Sequence, residues 1–141
     1  MLRECTSMSK NQKKSCDCLK MGDFLFVSGQ LPLDYETDQI VGNDIEIQTH
    51  QVMKNILRIL DTYHLTTKHI MRTTIFLTDM EMYDKMNEVY ASYFDDLYPS
   101  RSVVGVSSLP HHAMIEINCD VIDTRALEVL CGSDEDCSCC N

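Results

Sequence analysis

Long apolar runs are missing from this sequence. Nowhere do about 18 apolar residues follow one another, which argues against a membrane-spanning helix and a membrane partner. The first fifteen residues also lack the apolar central stretch of a secretory signal. We therefore expect a soluble, cytoplasmic protein. A reducing compartment of this kind would keep the eight cysteines as free thiols.

Basic residues are scarce, with 12 lysines and arginines against 22 aspartates and glutamates and a net charge of −10. The short basic cluster of Lys10, Lys13 and Lys14 lies near the N-terminus. Proteins that bind nucleic acids usually gather lysine and arginine to neutralise phosphates. The charge balance therefore argues against a nucleic-acid partner.

Familiar motifs for covalent catalysis and for zinc are also absent from the sequence. There is no Cys/His/Asp pattern and no Gly-x-Ser-x-Gly nucleophile motif. The spacing of Cys16 and Cys18, like that of Cys137 and Cys139, differs from the Cys-x2-Cys spacing of common zinc sites. We expect neither a metal nor a cofactor. A redox or metal cluster built by both termini, with Cys140 included, stays open as an alternative.

The 141 residues, 44% of them apolar, are enough for one domain with an ordinary core. Residues 1–15 are polar and predict an N-terminal extension. Residues 16–125 carry the hydrophobic patterns of a folded domain. Residues 126–141 include "GSDEDCSCCN" and predict an acidic, cysteine-rich C-terminal tail.

Hydrophobic periodicity predicts two helices among several strands. Alternating or β-branched runs predict strands at residues 23–30, 70–78, 101–108 and 113–123, with a weaker partner strand at 16–21. Apolar residues at helical spacing predict one helix over residues 44–63 and a second between Asp79 and Pro99. This order of elements predicts an α+β fold in which both helices pack on one face of a sheet.

Polar residues and a proline mark the expected helix ends. Asn43, with Glu46 three residues later, resembles a capping box at the start of the first helix. Asp79 can cap the second helix, and Pro99 would end it because proline cannot continue the hydrogen-bond ladder.

Two opposite charges stand in or beside apolar stretches near the end of the domain. Arg101 opens a strand just after Pro99, and its planar guanidinium suits bidentate capture of a carboxylate. Glu116 lies inside the strand "IEINCDVI" and could orient a water or shuttle a proton. Plain alternatives stay open. In these alternatives, Arg101 would cap the preceding helix or pair with Glu116 or Asp120, and Glu116 would simply face solvent.

Asn87 and Gly29 are further candidates for a site. Asn87 falls on the apolar stripe of the second helix, where an unpaired amide would cost about 1–3 kcal/mol. It should therefore pin a loop or strand, or contact substrate. Gly29 in "SGQLP" leaves room for a ligand near the backbone, although a simple turn explains it equally well. His111 and His112 follow Pro110 in a loop, and we expect them to be exposed.

Five stretches, taken together, resemble the RidA family, also called the YjgF family. They are "FLFVSGQLPLD", "RTTIFLTDM", "NEVYASYF", "YPSRSVVGVSSLP" and "IEINCDVI", which keep the family's order and span about residues 19–123. The combination of Ser-Gly-Gln-Leu-Pro, Pro-x-Arg-Ser, Leu-Pro and Ile-Glu-Ile is fairly specific, whereas each piece alone would be weak.

The resemblance implies a chorismate-mutase-like α+β fold with a mixed sheet, assembled as a homotrimer with clefts between subunits. The family's matching arginine, here Arg101, holds the substrate carboxylate, and the matching glutamate, Glu116, positions the hydrolytic water. The resemblance also implies substrate-binding positions at Ser28, Gly29, Asn87, Val103 and Pro110.

Family members hydrolyse reactive enamines and imines such as 2-aminoacrylate, 2-iminobutanoate and 2-iminopropanoate to 2-oxo acids and ammonia. The resemblance therefore implies a hydrolytic deaminase whose partners are small 2-imino and 2-oxo acids. Because the imine is already electrophilic, orienting it beside water in a dry cleft could supply most of the rate effect. Two alternatives stay open: a non-catalytic module that binds small carboxylates, and an endoribonuclease or translation inhibitor, as ascribed to some members.

Two positions depart from the family pattern. Many members have a cysteine two residues after the arginine, where this sequence has Val103, whose backbone N–H would still bind the carboxylate. The family's N-terminal Gly-Pro-Tyr-Ser-Gln-Ala segment is replaced by "KKSCDCL". This puts Ser15 where the family has a tyrosine that helps to enclose the ligand, and so leaves the substrate range open.

Overall fold

A computed structural model of the protein describes residues 3–8 and 15–127. The strands and α-helices of this part are β1 (Arg3–Thr6), β2 (Cys18–Met21), β3 (Phe24–Gln30), α1 (Ile45–Thr62), β4 (Ile70–Leu77), α2 (Tyr83–Ala91), β5 (Ser100–Gly105) and β6 (Ile115–Ile122). Single 3-10 turns lie at Thr67–His69, Met80–Met82 and Pro110–His112.

The strands form one mixed sheet in the order β1-β2-β3-β6-β4-β5. Every neighbouring pair is antiparallel except β4 and β5, which are parallel and are connected through α2. β5 and β6 follow each other in the chain but do not pair, because each lies on a different side of β4. The predicted α+β architecture with a mixed sheet is confirmed.

Both helices cover the same face of the sheet. Along β6 the odd residues from Ile115 to Val121 are buried, while the even residues are only half-buried. These odd residues join one core with the apolar stripes of the helices, which include Ile56 of α1 and Met86 of α2. The opposite face carries exposed aromatics such as Phe26. The sheet therefore has a helix-covered face and an open face.

The N-terminal strand β1 has no counterpart in the sequence analysis. It pairs in antiparallel fashion with β2, with Thr6 opposite Cys18. Its sequence Arg-Glu-Cys-Thr is polar and almost wholly exposed, so no alternation of apolar residues marks it as a strand. The tail cysteines Cys131, Cys137, Cys139 and Cys140, and any cluster built with them, lie outside the described residues.

The first helix begins one residue later than the predicted capping box implied. Asp44, rather than Asn43, is the N-cap, and its carboxylate accepts hydrogen bonds from the backbone N–H groups of Glu46 and Ile47 at 2.9 and 3.2 Å. The prediction was wrong because two adjacent residues can both cap a helix. An aspartate also carries a charge that the helix dipole favours.

The second helix is shorter than predicted. Asp79 caps the 3-10 turn Met80–Met82 by accepting from the N–H of Glu81, and α2 then ends at Ala91 instead of running to Pro99. The hydroxyl of Ser92 donates to the carbonyl of Val89 at 2.6 Å, and such local side-chain bonds compete with helix continuation. β5 also ends earlier than predicted, at Gly105 rather than at residue 108.

Within the two described stretches, no helix has the length and apolar character required to cross a bilayer.

Asp44→Ala should lower the free energy of unfolding by about 1 kcal/mol, because the two bonded N–H groups of the first turn lose their acceptor. Asn43→Ala is the matched control and should change it by less than about 0.5 kcal/mol. Urea denaturation followed by circular dichroism measures both values. Equal losses in the two variants would contradict this assignment of the cap.

Candidate active site in two halves

Arg101 lies at the edge of the sheet, where β5 meets α2. One Nη of its guanidinium donates to Oδ1 of Asn87 at 2.7 Å and the other to the hydroxyl of Tyr83 at 3.0 Å. The guanidinium carbon lies 5.0 Å from the ring centroid of Tyr90 and 5.8 Å from that of Tyr83. We call these four residues the arginine cluster. Two hydrogen bonds and two rings hold the guanidinium in place.

The neighbours of Arg101 leave its charge uncompensated. Within residues 3–8 and 15–127, no carboxylate lies within salt-bridge distance of it. Asp120, one predicted alternative partner, instead pairs with Arg72 on the open face at 2.6 Å. Glu116, the other alternative partner, also lies on that face. A fixed guanidinium whose hydrogen-bond partners, Asn87 and Tyr83, are neutral keeps its charge available for an anion.

The arginine cluster borders a cavity of about 340 Å³. Its lining residues are Asn87, Tyr90, Ala91, Tyr98, Pro99 and Arg101. Asn87 was predicted either to pin a strand or to contact substrate. In the structure its carbonyl oxygen accepts from Arg101, so it pins the side chain of a neighbouring strand.

Val103 presents its backbone to the same edge of the sheet. The N–H of Val106 donates to the carbonyl of Leu77 in β4 at 2.8 Å. The backbone groups of even-numbered residues in this segment therefore form their hydrogen bonds with β4. In a parallel ladder the odd-numbered residues then point their N–H groups away from the neighbour. Arg101 and Val103 are odd-numbered, and β5 is an edge strand. The Val103 N–H therefore faces the free edge on which Arg101 lies.

Glu116 lies on the open face and contacts Gly29 of β3. A Cβ at Gly29 would be 2.7 Å from Cδ and 2.9 Å from Oε1 of Glu116, closer than real Cβ atoms approach. The glycine therefore makes room for the carboxyl group, which explains Gly29 better than a turn does. Glu116 is half-buried, and this burial raises the pKa of its carboxyl.

Ser28, beside Gly29, forms hydrogen bonds with the N-terminal segment. Its hydroxyl donates to the carbonyl of Cys16 at 2.7 Å, and its N–H donates to the carbonyl of Asp17 at 2.8 Å. We call Glu116, Gly29 and Ser28 the glutamate cluster. The segment at residues 16–17 fixes one end of this cluster.

The two clusters lie on opposite faces of the sheet. Arg101 pairs with the buried Thr73 of β4, on the helix-covered face. Glu116 pairs with Phe76, three residues further along the same strand. Side chains alternate between faces along a strand, so an odd separation puts the two charges on opposite sides. A single chain does not bring Arg101 and Glu116 into one cavity.

Pro110 is exposed and opens the 3-10 turn that contains His111 and His112. Both histidines are exposed, as predicted. His111 and Gly29 both line a second cavity of about 610 Å³ between α1 and the 31–40 loop. Pro110 itself does not line this cavity, and neither does Arg101.

Tyr83 and Tyr90 are the site residues that the sequence analysis missed. In the sequence they are two of the apolar residues at helical spacing that predict the second helix. Their separation from Asn87, four and three residues, places all three side chains on one face of α2. This spacing was the available signal. The exposed Ser15, at the position of the family tyrosine, joins neither cluster.

No group of three or more metal-ligating side chains converges in the described part of the chain.

Comparison with known proteins places the sequence in one family. The family model described as Endoribonuclease L-PSP matches residues 12–122. A RutC family protein of Pyrococcus horikoshii is 46% identical over 99 residues, which are 70% of this chain and 79% of that protein. The chloroplastic Reactive Intermediate Deaminase A of Arabidopsis thaliana is 40% identical over 101 residues, covering 72% of this chain and 54% of the relative.

A solved structure shows the same fold. The crystal structure of a protein of the conserved Rid family from Yersinia pestis superposes with a TM-score of 0.81 at 35% sequence identity. The match covers 86% of this chain and all of that one.

Gly29→Ala should push the Glu116 carboxyl toward solvent and bring its pKa down toward the ordinary glutamate value, because burial is what raises it. Titration of the side-chain carboxyl by carbon-13 NMR measures the change. Gly105→Ala is the control, since its new Cβ would meet only the Met80 side chain, at 3.3 Å. An unchanged Glu116 pKa in Gly29→Ala would show that the two residues do not touch.

Proposed function

This chain belongs to the endoribonuclease L-PSP family, which includes Rid proteins, and we propose that it is a hydrolytic deaminase of reactive 2-imino and enamine acids. The observation that carries the proposal is the arginine cluster, a fixed cation with neutral partners at a cavity. Such a cation recognises a small carboxylate.

Arg101 binds the substrate carboxylate through its remaining guanidinium N–H groups. Two of the five N–H groups already donate to Asn87 and Tyr83, which fixes the guanidinium. Binding a ligand through the other N–H groups therefore costs little side-chain entropy. The outward N–H of Val103 supplies a backbone donor to the same carboxylate. This arrangement fits 2-aminoacrylate, 2-iminobutanoate and 2-iminopropanoate, which all carry a carboxylate next to the reacting carbon.

Glu116 orients the water that attacks the C=N carbon. Its pKa is raised by burial, so the carboxyl can accept a proton from water and pass it to the departing nitrogen. Water adds, the C–N bond breaks, and ammonia and a 2-oxo acid leave. The base form exists only above the raised pKa, so activity should fall as the pH drops through that value.

The complete site forms between subunits, since one chain holds its two halves on opposite faces of the sheet. We assign the assembly as a homotrimer in which the arginine cluster of one subunit meets the glutamate cluster of the next. The open face with its exposed Phe24 and Phe26 gives each protomer an apolar surface to bury in such an assembly.

Two other activities have different support. A binding module for small carboxylates is favoured by Ser15, whose exposed side chain cannot enclose a ligand as a tyrosine would. An endoribonuclease is named in the description of the family, but the net charge of −10 opposes contact with RNA phosphates.

Purified protein should speed the release of ammonia and 2-oxo acid from enzymatically generated 2-aminoacrylate. Arg101→Ala should reduce the rate by about 100-fold or more, because the carboxylate loses a charge-assisted bidentate partner. Arg72→Ala is the matched control, an arginine of the neighbouring strand that pairs with Asp120, and should retain the wild-type rate.

A rate no higher than the spontaneous one would refute the deaminase. Calorimetry with 2-oxobutanoate then tests whether the protein is a carboxylate-binding module. Binding that Arg101→Ala abolishes would identify the carboxylate-binding module, whereas absence of binding would remove the proposed role of Arg101 altogether.

A further inference from the structure

The larger cavity, of about 610 Å³ between α1 and the loop that follows β3, has an arginine of its own. Arg58 of α1 lines it, together with Asp34 and Tyr35 of the loop. Arg101 and Glu116 do not line it. The proposed deamination therefore uses none of the three side chains that carry charge or an aromatic ring at this cavity wall.

Arg58 is held in place without an ion pair. It is half-buried, and its guanidinium lies directly over the ring of Tyr35, whose face attracts a cation. In the part of the chain that the structure describes, no carboxylate forms a salt bridge with Arg58. Stacking on a ring occupies the face of a guanidinium, so its N–H groups stay available to bind an anion in the cavity.

Asp34 supplies the opposite charge at the same cavity. Its Oδ1 accepts hydrogen bonds from the N–H groups of Glu36 and Thr37 at 3.0 and 2.9 Å and from the Thr37 hydroxyl at 3.0 Å. The bonds from Thr37, that of its backbone first, lower the pKa of the Asp34 carboxyl, which is therefore ionised at neutral pH. All three bonds end on Oδ1, so Oδ2 can accept from a ligand.

The cavity is formed in advance because α1 holds the loop. The Asn55 amide nitrogen donates to the carbonyls of Leu31 and Leu33 at 3.0 Å each. Across the loop, the N–H of Asp34 donates to the carbonyl of Gln39 at 2.8 Å. A ligand that binds between the helix and the loop therefore does not have to order the loop first.

The remaining wall combines a buried acceptor with apolar side chains. Gln30 is nine-tenths buried, and its amide nitrogen donates to the carbonyl of Ser28 at 3.1 Å. Its amide oxygen accepts no hydrogen bond from any residue in the two described stretches. Leu31, Leu33 and Ile59 give the cavity an apolar side.

We propose that this cavity binds a free α-amino acid with an apolar side chain. Arg58 binds its carboxylate, while Oδ2 of Asp34 and the amide oxygen of Gln30 accept hydrogen bonds from its ammonium group. The side chain lies against Leu31 and Ile59. The cavity volume is within the range of small-molecule sites.

The choice of a zwitterion follows from the two charges. Arg58 and Asp34 line one cavity without pairing with each other, so a ligand that carries both charges can satisfy both. A simple anion would leave Asp34 without a partner, and a simple amine would do the same to Arg58. This site goes beyond the proposed deaminase and does not depend on it.

Three compounds with one branched side chain separate the two charges. They are L-leucine, 4-methyl-2-oxopentanoate, which lacks the ammonium group, and 3-methylbutylamine, which lacks the carboxylate. Calorimetry on the full-length Arg101→Ala variant, with its fold checked by circular dichroism, removes binding at the arginine cluster. L-leucine should bind this variant at least about tenfold more tightly than either analogue, because each analogue leaves one buried charge without a partner.

Substitutions in the same Arg101→Ala background test the assigned residues. Arg58→Gln and Asp34→Asn should each weaken L-leucine binding by about tenfold or more, because each removes a charge-assisted hydrogen bond. Asparagine keeps a side-chain oxygen for the loop N–H groups, and thermal unfolding shows whether each variant is folded. Lys54→Gln is the matched control, since this exposed lysine of α1 does not line the cavity, and should leave the affinity unchanged.

Three results would overturn the proposal. One is absence of L-leucine binding to folded protein. Another is equal affinity for L-leucine and 4-methyl-2-oxopentanoate, which would show that the ammonium group is not recognised. The third is L-leucine binding that survives Arg58→Gln but is lost in Arg101→Ala, which would place the amino acid at the arginine cluster.

Discussion

The guanidinium of Arg101, held by Asn87 and Tyr83 against the Tyr90 ring, is the interaction on which the account depends. A mobile arginine at a sheet edge would contribute little, because ordering a long side chain costs entropy that an exposed ion pair rarely recovers. Here the protein has already ordered the side chain with neutral partners, and no carboxylate among residues 3–8 and 15–127 pairs with it. The fold creates this arrangement, because α2 carries the hydrogen-bond partners Asn87 and Tyr83 and β5, which carries Arg101, is an edge strand of the sheet.

The sheet then determines how a site can be completed. Glu116 and Gly29 occupy the open face, while Arg101 occupies the helix-covered face. Alternation along the strands makes this separation a property of the fold rather than of side-chain rotamers. An anion site and a water-orienting carboxyl can thus share one cleft only when two copies of the chain meet. The same separation explains why Arg101 and Glu116 do not neutralise each other within one protomer.

Periodicity in the sequence was enough to predict the order of the main elements and both helices on one face, because burial of apolar stripes controls both. It could not predict β1, whose four residues are polar and pair only with the edge formed by β2. The role of Asn87 was half predicted, since a buried amide needs a partner but the pattern does not name Arg101 as that partner. The opposite orientation of Arg101 and Glu116 was beyond sequence reasoning. It follows from the pairing of both β5 and β6 with β4, which no local pattern encodes.

Subunit mixing tests the central claim most directly. Arg101→Ala and Glu116→Gln should each be inactive alone, because every cleft then lacks one of the two groups. Mixed trimers assembled from equal amounts of the two variants should recover about one quarter of the wild-type activity, since that share of clefts combines an intact arginine with an intact glutamate from its neighbour. Mixed trimers that form, as native mass spectrometry would show, yet remain inactive would contradict a site shared between subunits.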